Sequence, residues 1–243
     1  MWNWANYTGI NLPYTDEPIE IRVFHADGRA EILEVKRPLT TLVITHLVFN
    51  SSISVNHFDA TVQNVASSKT YVNITGISIE GSVISTVSPK LPYSLNPGEA
   101  PKQFQCSYNW TNVQGREVSV RISTLQGYIA QRTQTLPKPV ILNISQIVFN
   151  AALSTDQFNV TVSNAVDSST YVDINRITVT VGEGDAIDIS QWVANQSTRL
   201  ETNASVLITC TWNWGSLEGQ SLTAKVTIYT SQGFTVSKEA QIP

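Results

Sequence analysis

The sequence predicts an all-β protein of antiparallel two-sheet sandwiches in tandem, and three observations predict it. The chain repeats itself at a spacing of about 100 residues, its apolar residues alternate with a period of two, and turn residues punctuate the alternating runs at short intervals. No stretch carries a 3.6-residue apolar stripe of helix length.

The repeat is the firmest of the three. Residues 46–79 match residues 146–179 without a gap, with 14 identities in 34 positions. The shared residues include Val48-Phe49-Asn50 with Val148-Phe149-Asn150, and Thr70-Tyr71-Val72 with Thr170-Tyr171-Val172. Later loops differ in length, and the match returns at Cys106-Ser107-Tyr108-Asn109-Trp110 against Cys210-Thr211-Trp212-Asn213-Trp214. Gln126-Gly127-Tyr128 and Gln232-Gly233-Phe234 close the two copies. These boundaries predict a first complete sandwich over residues 40–139 and a second over 140–243.

Residues 1–39 read as the last strands of a third, partial module. Trp2-Asn3-Trp4 repeats the Asn-Trp signature, and the run Ile19–Gly28 repeats the strand and glycine turn that end each copy. Half a sandwich cannot cover its own apolar face. Pro137-Lys138-Pro139 and Arg37-Pro38 mark the joints, where proline stiffens the connection.

Within a copy, Phe58, Ala60 and Val62 alternate with polar residues, as do Val118, Val120 and Ile122. Asn96-Pro97-Gly98, Gln126-Gly127, Gln232-Gly233 and Asp27-Gly28 supply turns. About seven short strands in roughly 100 residues is the pattern of an immunoglobulin-like sandwich. On the Cys-x-aromatic-Asn-Trp strand, positions i, i+2 and i+4 share one face. Cys106, Tyr108 and Trp110, with Cys210, Trp212 and Trp214, are therefore expected in the cores rather than on a sugar-stacking platform. Equivalent cysteines in successive modules stand too far apart for a disulfide, which needs Cα atoms within about 7 Å, so two buried free thiols are expected.

Composition excludes several classes of function. Only 14% of the residues are charged, the net charge is −4, and the 15 Lys and Arg are scattered, so no nucleic-acid surface is expected. The apolar runs are far shorter than a membrane span, and Met1-Trp2-Asn3-Trp4 lacks the basic and apolar regions of a secretion signal. His25, His46 and His57 are the only histidines, and Gln146 and Gln157 replace the last two in the second copy. No nucleophile elbow, metalloprotease motif or phosphate loop is present, so no enzyme and no cofactor are expected. The loop Glu183–Asp188 offers carboxylates to Ca²⁺ but lacks EF-hand spacing, and a solvated loop is the preferred reading.

Asn-x-Ser/Thr acceptors occur at Asn6, Asn50, Asn73, Asn109, Asn143, Asn159, Asn195 and Asn203, where composition alone yields about four. Glycans there would shield a surface short of charge and favour an extracellular, cell-surface location. Aromatics outside the core strand are the candidates for binding a glycan. They are Trp2, Trp4, Tyr7, Tyr14, Tyr93 and Trp192, with Trp192 foremost because it lies where the copies differ.

The tandem sandwiches, the Cys-x-aromatic-Asn-Trp strand and the Gln-Gly-aromatic hairpin resemble modules of archaeal cell-surface proteins of the S-layer-like and pilin-like kind. The resemblance covers residues 40–243 and implies a secreted, often glycosylated structural or adhesive role. The function expected is a structural segment of a cell-surface or filament protein, partnered by its own copies or neighbouring surface modules, with Ile19–Phe24 and Ala30–Val35 either docking on another chain by strand complementation or packing on the first complete module. The alternative is a carbohydrate- or ligand-binding adhesin module.

Overall fold

The computed structural model describes residues 18–36 and 39–243; Trp2, Trp4, Asn6, Tyr7, Tyr14 and the Arg37-Pro38 joint lie outside them. Among the described residues its regular structure is strand apart from short 3₁₀ turns at Thr111–Val113 and Gly215–Leu217. Among the described residues no helix is long and apolar enough to cross a membrane.

A two-stranded sheet comes first, with β1 (Pro18–Phe24) antiparallel to β2 (Ala30–Lys36) across a turn whose Gly28 has φ +84°. The first repeat then supplies β3 (Leu42–Val48), β4 (His57–Asn64), β5 (Val72–Ile79), β6 (Ser82–Val83), β7 (Val87–Ser88), β8 (Tyr93–Leu95), β9 (Lys102–Ser107), β10 (Glu117–Thr124) and β11 (Ile129–Thr135). One sheet has the order β3-β4-β9-β7 and the other β11-β10-β5-β6, with β8 also on β5.

The second repeat reproduces this with β12 (Leu142–Phe149), β13 (Gln157–Asn164), β14 (Val172–Val181), β15 (Ile187–Asp188), β16 (Trp192–Ala194), β17 (Arg199–Leu200), β18 (Ala204–Thr211), β19 (Thr223–Thr230) and β20 (Thr235–Gln241). Its sheets run β12-β13-β18-β16 and β20-β19-β14-β15, with β17 on β14. Both repeats thus divide into one four-stranded and one five-stranded antiparallel sheet, a sandwich arrangement of the immunoglobulin-like kind. Each repeat has nine strands rather than about seven, because two- and three-residue ladders form along the central connection, where no alternating run announces them.

Two compact units emerge. One holds the described residues up to Val48 with Asp59–Ser107 and Glu117–Gln134; the other holds Phe49–Phe58, Tyr108–Arg116 and Thr135–Pro243.

Period-two patterning is what fills the cores. Ala60 and Val62 on β4, Phe104 and Cys106 on β9, and Val118, Val120 and Ile122 on β10 are buried, as are Val160, Val162, Ile208, Cys210, Val226 and Ile228 in the second repeat. The alternation breaks where β5 and β14 bulge, after Ile74 and Ile174, so the next buried residues are Ile77 and Ile177. A Cβ at Gly76, beside the first bulge, would stand 2.9 Å from Ser123 Oγ, so that side chain would have to shift.

Candidate functional site

The Cys-x-aromatic-Asn-Trp segment divides into two environments. Cys106 and Cys210 are buried free thiols on β9 and β18, and burial pushes each up to about 12, well above the thiolate range of a nucleophile. Trp110 and Trp214 are fully buried, and their indole N–H groups donate to the carbonyls of His57 (3.0 Å) and Gln157 (2.9 Å). The contact uses the backbone of residue 57 or 157, so the His-to-Gln exchange leaves it intact.

Tyr108 and Trp212, expected in the core, are only half-buried. The reason is that β9 and β18 end at Ser107 and Thr211. Beyond them, the N–H groups of Tyr108 and Trp110 bond to the Asn56 and Val55 carbonyls, and those of Trp212 and Trp214 to Asp156 and Thr155. The two rings pack edge-on against Phe58 and Phe158, beside the stacked pairs Phe49–Phe58 (4.7 Å) and Phe149–Phe158 (5.0 Å).

A polar corner, repeated atom for atom, was not marked by the sequence motifs. Asn64 Nδ2 donates to the carbonyls of Thr70 (3.0 Å) and Leu95 (3.1 Å); Asn164 Nδ2 does the same to Thr170 (3.0 Å) and Leu200 (3.1 Å). Ser68 and Ser168 hydroxyls accept from the N–H of Thr41 and Ile141. Gln126 and Gln232 Oε1 accept from the N–H of Asn73 (2.9 Å) and Asp173 (3.0 Å). The signal was available: Asn64/Asn164 and Ser68/Ser168 are identical polar pairs inside the gapless block.

Around Asp173 the second repeat adds charge. Arg199 Nε donates to Asp173 Oδ1 (3.0 Å), its guanidinium lies 4.1 Å over the Tyr171 ring, and Gln232 Nε2 donates to Asp173 Oδ2 (3.1 Å). The Asp173 hydrogen bond raises the Arg199 pKa further. In the first repeat the same place holds Asn73, which accepts from Ser94 Oγ and carries an acceptor sequence for glycans.

The aromatic candidates sit separately. Tyr93 opens β8, half-buried and edge-on to Phe104 (5.4 Å), with Lys102 Nζ 5.3 Å from its centroid. Trp192 opens β16, the outer strand of its sheet, and is half-buried beside exposed Val193. Of the glycan acceptors, Asn50, Asn109, Asn143, Asn195 and Asn203 are exposed, while Asn73 and Asn159 are half-buried. Asn109 Nδ2 donates to Asn56 Oδ1 (2.9 Å). Among the described residues no group of three or more His, Cys, Asp or Glu is placed to hold a metal, and Asp188 of the acidic loop pairs with Arg176 (2.6 Å).

Each unit carries an open groove. In the first, about 490 Å³ is lined by Ser78, Glu80, Ser119, Arg121 and Gln131 on the outer face of a sheet. In the second, about 510 Å³ is lined by Asn109, Thr111, Asn112, Ile141 and Phe234. Both hold amides, hydroxyls or single charges, without a nucleophile paired to a base.

No model of a known protein family matches the chain, and no curated protein matches its sequence. Among solved structures, the archaellum periplasmic stator protein FlaG from Sulfolobus acidocaldarius aligns at 20% identity over 42% of this chain and 99% of its own, with a TM-score of 0.34. The protein SGBP-B from a complex xyloglucan utilization locus in Bacteroides uniformis aligns at 10% identity over 93% of this chain and 78% of its own, with a TM-score of 0.28. SGBP-B from the mixed-linkage glucan utilization locus of Bacteroides ovatus aligns at 16% identity over 93% of this chain and 51% of its own, also at 0.28.

Proposed function

We propose that this chain is a structural segment of an extracellular cell-surface or filament protein, of the S-layer-like or pilin-like kind that its repeats resemble. One observation carries the reading. The residues that recur between the repeats are those that hold the fold: the Asn64 and Asn164 clamps, the Trp110 and Trp214 indole bonds, and the Gln126 and Gln232 corners. Duplication has kept a brick, and the grooves differ between copies. Five exposed acceptor asparagines on a surface poor in charge fit glycan shielding outside the cell.

Labelling of intact source cells with a membrane-impermeant biotin reagent, followed by glycopeptide mass spectrometry, tests it. The expected result is a labelled protein carrying glycans at several of Asn50, Asn109, Asn143, Asn195 and Asn203. An unlabelled, unmodified protein inside the cell overturns the proposal.

The adhesin reading has one observation in its favour: Trp192 stands half-exposed on an open edge strand, next to Val193 at 71% exposure. A stacking aromatic at a sheet edge suits a sugar face. Glycan-array binding that disappears in Trp192→Ala supports it, and binding unchanged in that variant removes it.

A further inference from the structure

The acceptor Asn109 stands on the rim of the groove of about 510 Å³ in the second unit, which holds Tyr108–Arg116 together with Phe49–Phe58 and Thr135–Pro243. Backbone bonds fix it there. The N–H groups of Tyr108 and Trp110 donate to the carbonyls of Asn56 and Val55, both at 3.0 Å. Val55 N–H donates in turn to the Gln232 carbonyl at 2.8 Å, one residue before the Gly233-Phe234-Thr235 wall of the groove.

The side chain is fixed as well. Asn109 Oδ1 accepts from Thr111 N–H (3.0 Å), and Nδ2 donates one hydrogen to Asn56 Oδ1 (2.9 Å). Asn56 is itself packed against the facing wall, since a Cβ at Gly233 would collide with its Nδ2. An asparagine amide carries two hydrogens, and a glycan replaces one of them. Both contacts of Asn109 therefore survive the modification, and the first sugar departs from an anchored point.

The lining has the chemistry of a sugar site. Among the described residues that line the groove none is charged; hydroxyls and an amide of Thr111, Asn112 and Thr235 accompany the apolar Ile141 and Phe234. Phe234 is covered, but Ile141 is 44% exposed, an open aliphatic face. A sugar lays its C–H face on such a side chain and turns its hydroxyls to the amides and hydroxyls around it. The volume of about 510 Å³ falls within the roughly 300–1,000 Å³ of small-ligand sites.

We propose that this groove is the seat of the N-glycan carried by Asn109, whose proximal sugars fold back over Ile141 and hydrogen-bond to Asn112 and Thr235. The proposal rests on the extracellular, glycosylated reading above and deepens it at one site. Tethering makes the contact intramolecular, so individually weak sugar contacts suffice to fill the groove. The second copy supplies a comparison. It builds the same turn, with Asn213 Oδ1 accepting from Gly215 N–H (3.2 Å), but Gly215 stands where Thr111 completes the acceptor triplet. The turn is common to both copies, and the acceptor belongs to one.

Periodate cleaves the vicinal diols of accessible sugars and so reads the seat directly. Full-length protein isolated from its source cells is oxidised in dilute periodate, and each glycopeptide is followed over time by mass spectrometry. The Asn109 glycan is expected to react roughly tenfold more slowly in the folded protein than in its isolated tryptic glycopeptide, while glycans at Asn195 or Asn203 stay within about twofold of theirs. Ile141→Asp places a carboxylate on the open apolar face, at a side chain exposed enough for the fold to tolerate it. Protection of the Asn109 glycan is expected to drop below about twofold in that variant. Equal reactivity of the Asn109 glycan in protein and peptide, which needs no variant to measure, overturns the proposal, as does protection unchanged in folded Ile141→Asp. An unmodified Asn109 on a surface-labelled protein overturns this proposal alone; an unlabelled, unmodified protein overturns the surface reading with it.

Discussion

Lys238 Nζ on the last strand lies 2.6 Å from the carbonyl oxygen of Ser145 on the first strand of the same sandwich. The first repeat makes the matching contact with Arg132 Nη1, which donates to the Ile44 carbonyl at 3.1 Å and also to that of Thr45. In both copies the first strand slips register at this point, between Ile44 and His46 and between Ile144 and Gln146. A bulge frees a carbonyl from the ladder, and a long cation from the opposite sheet takes it.

Lys238→Met keeps the stem and removes the donor. The side chain is exposed, so the loss is small, below about 1 kcal/mol, and Arg132→Met behaves alike. Urea midpoints of the single variants and the wild type measure it.

Asn164→Ala removes the donor shared by the half-buried Thr170 carbonyl and the buried Leu200 carbonyl. The cost expected is about 2–3 kcal/mol, against less than about 0.5 for Asn143→Ala on the surface. Denaturant unfolding of the two variants side by side separates a clamp from a bystander.

Gly233→Ala meets two obstacles, a φ of +93° and an Asn56 Nδ2 only 2.4 Å from the new Cβ. Gly28→Ala has the same kind of backbone but nothing within 4 Å. The first is expected to cost more than about 2 kcal/mol and the second about 1. Thermal melts for Gly233→Ala, and hydrogen exchange at the β1–β2 turn for Gly28→Ala, read the difference.

Alkaline pH is expected to weaken the fold through the two thiols. Their folded pKa of about 12 lies above the ordinary value of 9.0 because burial disfavours the thiolate, so the folded state holds those protons longer. The stabilisation is complete below pH 9 and is lost as pH rises from 9 towards 12, by about 1 kcal/mol per thiol per unit within that window. Stability curves for wild type and for Cys106→Ala with Cys210→Ala should converge in that range.

The architecture was legible because sandwich strands are written in a period of two and the repeat doubled every signal: Phe58 and Phe158, or Cys106 and Cys210, vouch for each other. Short ladders such as β6, β7 and β15 escaped, since two residues carry no periodicity. Tyr108 and Trp212 were misplaced because alternation continues in the sequence after the strand has ended in space. The corner built on Asn64 and Asn164 was hidden for a different reason. A buried amide whose partners are all backbone carbonyls leaves no complementary side chain to notice, and only its recurrence at the same offset gives it away.

The sealed sulfurs have a practical consequence. Since neither Cys106 nor Cys210 can meet an alkylating reagent while its sandwich is closed, each acts as a clock that starts when its own brick breathes. Because the two sit in different tryptic fragments, mass spectrometry of a timed alkylation would report which brick opens first, without any introduced probe.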